Sequence, residues 1–180
     1  MSTLKIYDIA GLVKGASEGQ GLGNAFLSHI SGVDGLYHVV RAFDDKHISH
    51  DEGSIDPCRD IETIHKELGY KDLAMIKRIQ KDLEVKFRGN KDDRKKVQFE
   101  IDVIKRCREL IETELKWIKD ENWNTEAVEI LNQYYFLTSK PVIYLVNVSV
   151  QDFLDGKNKY INDIKDQLNF FYGTEDQELY

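Results

Sequence analysis

The hydrophobic residues of this chain include three short apolar runs. The runs cover residues 4–7, 35–43 and 142–146. Their short length and their content of β-branched and aromatic residues predict three β-strands. Polar or glycine-rich residues follow each predicted strand, and open α/β sheets bind ligands at the carboxyl ends of their strands. The pattern therefore predicts an α/β fold with parallel strands.

Longer apolar stripes between the strands predict helices. Residues 61–87 carry one stripe at helical spacing, residues 88–93 are polar, and residues 97–118 carry a second stripe with heptad steps. Arg108 occupies the one position of the second stripe that should be apolar. Two such helices joined by a short polar turn predict an antiparallel helical hairpin of the coiled-coil type.

Shorter segments complete the predicted elements. Residues 22–30 have helical spacing, and a further helix is expected to begin at a cap, Asn124 or Thr125, and to end near Leu137. A last helix is predicted over residues 157–171. The polar residues between the second strand and the hairpin predict a loop.

Composition and charge limit the class of protein. The chain has 180 residues and a formal net charge of −7, and no run approaches the ~18 apolar residues that a membrane span requires. No signal peptide precedes the first strand, and the two cysteines, Cys58 and Cys107, are too few for a disulfide framework. A cytoplasmic protein without a membrane partner is expected. The acidic balance argues against broad nucleic-acid binding but allows a local basic patch.

Two positions at predicted strand ends have candidate chemistry. Asp8 begins an Asp-x-x-Gly motif that ends at Gly11, in which a carboxylate can hold Mg²⁺ through water and a glycine N–H can reach a terminal phosphate. The same motif is common in ordinary turns. Asn147 follows the third strand, and its amide can pair with a purine edge or cap a turn. The glycines between residues 11 and 23 predict a ligand-cradling or mobile loop.

Other candidate motifs are weaker or incomplete. His47 and His50 lie three residues apart beside several aspartates, which allows a metal site, although a solvated polar loop is favoured. The phosphate-binding motif Gly-x-x-x-x-Gly-Lys-[Ser/Thr] is absent, and residues 155–158 are its nearest approach. The glycines at 19, 21 and 23 do not form a dinucleotide fingerprint, which argues against a nicotinamide-dependent oxidoreductase.

Two longer segments are more specific than any single motif. Residues 8–16 read Asp-Ile-Ala-Gly-Leu-Val-Lys-Gly-Ala, and residues 19–27 read Gly-Gln-Gly-Leu-Gly-Asn-Ala-Phe-Leu. Together they closely resemble the switch II segment of the Obg-like ATPases, the YchF group of translation-factor-related P-loop GTPases. The resemblance continues through residues 38–43, 56–62 and 137–147 and covers nearly the whole chain.

The resemblance implies roles for residues near the first two strands. Asp8 resembles the family's Mg²⁺ residue, which holds the ion through water, and Gly11 and Leu12 resemble the segment at the γ-phosphate. Leu12 occupies the position at which ordinary GTPases place the glutamine that orients water. His50 resembles a mobile histidine to which the family's catalysis is attributed, so it is the candidate catalytic residue.

The resemblance also implies a base-binding role for Asn147 and Val148. Ordinary GTPases read Asn-Lys-x-Asp at this point and pair the aspartate with guanine, whereas the Obg-like family resembles Asn-x-x-Glu and accepts ATP. Here the motif ends in Val150, whose side chain accepts no hydrogen bond. The resemblance implies ATP, or GTP, as substrate and leaves the preferred base open.

The fold implied by the resemblance is α/β, a partial P-loop GTPase-type parallel sheet with an inserted antiparallel α-helical coiled-coil hairpin. Residues 1–60 and 123–172 would form the G domain, residues 61–122 the insertion and residues 173–180 a frayed tail. The family also has an upstream P-loop and a C-terminal TGS domain. The chain is therefore expected to be a fragment that is not competent for hydrolysis alone.

Two functions follow from these expectations. The first is a nucleotide hydrolase that acts with the ribosome, in which the helical insertion contacts ribosomal RNA or protein. The second is a non-enzymatic interaction module that binds a ribosomal or protein partner through the hairpin. Nucleotide affinity that depends on Mg²⁺ would separate the two.

Overall fold

The computed structural model describes residues 3–8, 30, 32–45, 47–48, 50, 53–89 and 93–172. Its strands and helices, in chain order, are β1 (Leu36–Arg41), α1 (Pro57–Gly89), α2 (Arg94–Glu112), α3 (Thr125–Tyr134), β2 (Val142–Asn147), α4 (Val150–Asp155) and α5 (Ile161–Tyr172). The predicted glycine-rich loop and most of the predicted helix over residues 22–30 lie outside the described residues.

Strands β1 and β2 form a parallel pair, as the sequence predicts. Their register runs from Leu36 opposite Val142 to Arg41 opposite Asn147. One face of the pair is buried against α1 and α5, where the core contains Val40, Ala42, Ile61, Tyr144, Ile164 and Leu168. The opposite face presents Tyr37 and Val39 to solvent, with 49% and 62% of their surface exposed.

The predicted strand over residues 4–7 is wrong for this structure. Residues 3–8 are irregular, and Leu4, Ile6 and Tyr7 are exposed. A strand forms only against the backbone of a neighbouring strand, and within the described residues β1 and β2 pair only with each other. The alternating apolar pattern therefore has no hydrogen-bonding partner here.

Helices α1 and α2 pack side by side in opposite directions. Gly69 of α1 lies against Ile111 of α2, and near the far end Lys86 Nζ is 3.0 Å from Glu100 Oε2. The residues that fill the interface include Ile76, Leu83, Val97, Ile104 and Cys107. These two packed helices agree with the predicted helical pair, although each helix begins and ends at other residues than the sequence predicts.

Cys107, and not Arg108, occupies the expected apolar position of α2. Cys107 is fully buried, and burial raises the pKa of its thiol to about 12. Arg108 is only partly exposed, and its Nε donates to Glu112 Oε2 at 2.7 Å. The buried sequence Val97, Ile104, Cys107 and Ile111 therefore keeps the spacing of a continuous seam.

Helix α2 ends earlier than the apolar stripe predicts. The helix stops at Glu112, and Leu115 is exposed with a left-handed φ of 54°. The Lys116 N–H returns to the Leu110 carbonyl at 2.9 Å and closes the helix end. Ile118 is still buried, but it lies in a 3-10 turn of residues 118–120.

The smaller helices agree with the predictions in part. Asn124 caps α3 by accepting from the Ala127 N–H, as expected, although α3 ends at Tyr134, before the expected end. The last predicted helix, over residues 157–171, is confirmed as α5, which begins four residues later, at Ile161, whereas the short helix α4 before it was not predicted. Ser149 caps α4 through the Asp152 N–H, and Gly156 ends α4 with φ 61°.

Asp72 joins the middle of α1 to the segment that leads into β2. The residue is buried, and its carboxylate accepts from Leu137 N at 2.9 Å, Thr138 N at 2.7 Å and Thr138 Oγ1 at 2.7 Å. Lys140, in the same segment, donates to the Val33 carbonyl just before β1 at 2.6 Å. These bonds fix the start of both strands relative to α1. Within the described part of the chain, no helix has the length and apolar character to cross a membrane.

Candidate functional site

The carboxyl ends of β1 and β2 lie side by side. Arg41 is opposite Asn147, and Ala42, the first residue after β1, donates its N–H to the Asn147 carbonyl at 2.8 Å. The loop after β1 and the segment Asn147-Val148 therefore leave the sheet at the same edge. The sequence predicts this edge as the ligand-binding edge, since both strands end in polar residues there.

Arg41 shapes the loop that follows β1. Its guanidinium donates to the carbonyls of Phe43, Asp45 and Ile48, all at 3.3 Å, and lies 4.8 Å from the centre of the Phe43 ring. Asp45 also accepts from the His47 N–H through its side chain at 2.8 Å. The loop is thus folded around one arginine, whose planar fork suits several acceptors at once.

His50 is bound to the first turn of α1. Its Nε2 lies 2.8 Å from Asp60 Oδ2, and the two side chains are 17% and 25% exposed. The other Asp60 oxygen accepts from Arg59 Nε at 3.3 Å and Arg59 Nη2 at 3.1 Å. The candidate catalytic histidine is therefore part of a histidine–carboxylate–guanidinium group at the edge of the sheet.

His38 approaches the same carboxylate from β1. Burial lowers the pKa of His38 to about 4, and the charge of Asp60 opposes this shift without reversing it. The His38 ring lies 5.2 Å from the Tyr144 ring on the neighbouring strand. At neutral pH His38 is uncharged, so it adds no positive charge beside Asp60.

Asn158 is a residue that sequence reasoning missed. Its Nδ2 donates to the Ala42 carbonyl at 2.7 Å and to Asp152 Oδ2 at 2.9 Å, and its Oδ1 accepts from Tyr160 N at 2.9 Å. Asn158 therefore holds the end of β1 against α4 and the start of α5. In the sequence, Asn158 lies in the stretch 155–158, whose pattern indicates only an incomplete phosphate loop.

The base-recognition candidates lie on this edge with little cover. Asn147 is exposed, Val148 is partly buried, and Val150 begins α4 with 78% of its surface exposed. The side chain at position 150 is apolar and faces solvent, so it offers no acceptor to a purine. The loop that contains His50 begins beside Asn147 and Val148, because the Ala42 N–H bonds to the Asn147 carbonyl.

Of the remaining predicted site residues, the structure describes only Asp8. Asp8 is exposed at the end of the irregular segment 3–8, and Gly11 and Leu12 lie outside the described residues. Among the described residues no group of three or more His, Cys, Asp or Glu side chains is arranged to hold a metal. The alternative of a metal site at His47 and His50 has no such group to support it there.

Comparison with known proteins gives the family. Residues 1–81 match the family described as 50S ribosome-binding GTPase. The chain is 50% identical to Obg-like ATPase 1 of Caenorhabditis elegans over 163 residues, which are 90% of this chain and 40% of that protein. It is also 50% identical to Obg-like ATPase 1 of Homo sapiens over 168 residues, 92% of this chain and 42% of that protein.

A solved structure gives the same answer. The YchF GTPase of Schizosaccharomyces pombe superposes with a TM-score of 0.79 at 41% identity, over 89% of this chain and 43% of that one. The chain thus spans well under half of the length of the relatives it matches. The sequence match, the helical pair and the parallel strands agree with one another, and the chain belongs to the Obg-like ATPase (YchF) family.

Proposed function

We propose that this chain provides switch and base-binding parts of a cytoplasmic hydrolase that acts on ATP, or on GTP, with Mg²⁺. The observation that carries the proposal is the shared carboxyl edge of β1 and β2, where Asn147 and the loop with His50 leave the sheet together. Family membership supplies the reaction class. The proposed division of the chain is a G domain over residues 1–60 and 123–172, with an insertion over residues 61–122.

Each proposed site residue has one role. Asn147 and Val148 hold the base, Gly11 and Leu12 lie at the terminal phosphate, and His50 acts in catalysis. An asparagine amide pairs with a purine through one donor and one acceptor. Since Val150 cannot accept the N–H groups of guanine, the site lacks the usual source of a preference for guanine, and ATP and GTP are both candidate substrates.

Asp8 is the proposed Mg²⁺ residue. Magnesium prefers oxygen ligands and keeps several waters, so one exposed carboxylate that binds through water fits its chemistry. When bound, the ion would neutralise charge on the phosphates. The chain's own contribution is an anionic oxygen at the end of segment 3–8.

A second candidate function is binding of a ribosomal partner through the far end of the helical pair. The hairpin tip, defined here as residues 84–96, holds six Lys or Arg residues and three acids in a chain of net charge −7. Arg94 and Lys95 are exposed, and the Arg94 guanidinium lies 5.7 Å from the centre of the Phe87 ring. A basic, partly aromatic tip on an acidic protein fits RNA phosphates.

Equilibrium binding of fluorescent ATP and GTP analogues, with and without Mg²⁺, tests the nucleotide site. We expect saturable binding of ATP, GTP or both that needs Mg²⁺ and weakens about tenfold in Asn147→Ala, because one base hydrogen bond is worth ~1.4 kcal/mol. Asn132→Ala is the matched control, because Asn132 is exposed on α3. Absence of binding at analogue concentrations up to millimolar would contradict a nucleotide site in this chain. The non-enzymatic interaction module would then be the remaining function.

Cosedimentation with ribosomes tests the hairpin tip. A Lys95→Glu/Lys96→Glu variant should lose binding, and the binding of the unmodified chain should weaken steeply with salt. The control is Lys77→Glu/Lys81→Glu, which makes the same charge change at exposed positions of α1 away from the tip. Equal loss in both variants would mean that net charge alone, and not the tip, controls binding.

A further inference from the structure

The carboxylate of Asp60 lies between two charged or titratable partners. Oδ2 bonds to His50 Nε2 at 2.8 Å, and Oδ1 accepts from two nitrogens of Arg59. One oxygen is thus used for the histidine while the other is held by the guanidinium. The arginine fixes the plane of the carboxylate, and the carboxylate in turn fixes the imidazole.

The backbone around Arg59 is also fixed. Its guanidinium donates to the Ser54 carbonyl at 2.6 Å and to Ser54 Oγ at 3.0 Å, while its N–H donates to Asp56 Oδ1 at 3.0 Å. Pro57 follows Asp56 as the first residue of α1, a position that suits proline. The end of the loop is therefore bound to the first turn of α1.

The loop is held at its other end by Arg41, whose guanidinium reaches the Ile48 carbonyl. Between the two arginines, the Gly53 N–H donates to the His50 carbonyl at 2.9 Å, and Gly53 has a φ of 75°. A left-handed φ is easy for glycine and strained for other residues. His50 thus lies in a segment whose two ends and whose own carbonyl are all bonded.

We infer that Asp60 is a positioning residue for His50, holding its ring through Nε2 at the nucleotide edge of the sheet. This inference rests on the catalytic role proposed for His50. A carboxylate that accepts from one ring nitrogen holds the orientation of the imidazole and selects its tautomer. Among the described residues, the titratable or charged groups that interact with the carboxylate include His50, Arg59 and, from β1, His38.

Nitrogen-15 NMR of the histidine rings tests the inference on the unmodified chain. We expect His50, assigned by its absence in His50→Gln, to be predominantly the Nε2–H tautomer with slow exchange of that proton. Asp60→Ala should speed the exchange by at least about tenfold, and Asp60→Glu should restore part of the protection. A His50 ring that samples both tautomers with fast exchange in the unmodified chain overturns the inference, even if Asp60→Ala does not fold.

The matched control is Glu62→Ala. Glu62 lies two residues after Asp60 on α1. Its exposed carboxylate, which this substitution removes, pairs with Lys66. The His50 signals should not move in this variant. Equal changes in Asp60→Ala and Glu62→Ala would mean that the ring senses general charge on α1, which also overturns the inference.

Hydrolysis of ATP with Mg²⁺ separates the inference from the proposed function. Asp60→Ala should lower kcat about 10–100-fold with KM unchanged, and it should add nothing in a His50→Ala background. If His50→Ala leaves hydrolysis unchanged, the catalytic proposal fails, whereas a chain that does not hydrolyse ATP behaves as expected of a sequence without the phosphate-binding motif. The ring spectra then decide alone whether Asp60 positions His50.

Discussion

The buried carboxylate of Asp72 makes the stability of this fold depend on pH in a way that can be calculated. Burial raises the pKa of Asp72 from 3.8 to about 6, although Leu137 N–H and the N–H and hydroxyl of Thr138 oppose the shift. The stability that this group contributes is fully present below pH 3.8 and is lost as the pH rises through about 6.

The size of the effect follows from the two pKa values. At 1.36 kcal/mol per pKa unit, ionisation of Asp72 lowers the free energy of unfolding by about 3 kcal/mol at pH 7 and by about 1.5 kcal/mol at pH 5. Asp72→Asn removes this dependence. It also leaves one backbone N–H of the Leu137–Thr138 pair facing an amide NH₂, which costs ~1–3 kcal/mol at either pH.

Urea unfolding of the unmodified chain and of Asp72→Asn at pH 7 and pH 5 measures the effect. We expect the stability of the variant, relative to the unmodified chain, to be higher at pH 7 than at pH 5 by about 1.5 kcal/mol. Asp82→Asn is the matched control, because Asp82 is exposed on the same helix and its substitution should show no such difference. An equal stability difference at both pH values for Asp72→Asn would refute the reasoning.

Three further substitutions test other parts of the fold. Asn124→Ala removes the cap of α3 and should lower the free energy of unfolding by ~0.5–2 kcal/mol in urea titrations; no change would mean that the cap is not formed. Asn158→Ala removes the bonds to the Ala42 carbonyl and Asp152, and a loss of ~1–3 kcal/mol is expected, with faster amide exchange at the end of β1 as the local readout. Tyr135→Gly should raise the midpoint of thermal unfolding by relieving ~1 kcal/mol, because Tyr135 is exposed and left-handed with φ 53°, and a lower midpoint would contradict this account.

Local patterns predicted the elements whose signals lie within their own residues. The strand 142–146 and the cap at Asn124 were correct because β-branched runs and capping side chains act over a few positions. The two long helices were found because a stripe over many turns outweighs single exceptions. The parallel pairing, and with it the candidate edge of the site, followed from polar residues after both strands.

The failures have non-local or unusual causes. The run 4–7 has the right pattern for a strand, but pairing depends on another backbone, which composition does not show. The end of α2 was missed because its left-handed residue is Leu115 and not glycine. Asn158 bonds to Ala42, which is distant in the chain, and Asp60 bonds to His50, which lies in a polar loop without regular spacing. No spacing rule therefore identifies these contacts.

The long helix α1 has one mechanical consequence. At 1.5 Å per residue its 33 residues span ~50 Å, and Asp72 lies close to the midpoint, ~23 Å from Pro57 and ~26 Å from Gly89. A helix held at its centre and tilted by ~5° moves each end by ~2 Å in opposite directions. A tilt of α1 about Asp72 would therefore move the hairpin tip and the turn that carries Asp60 in opposite directions.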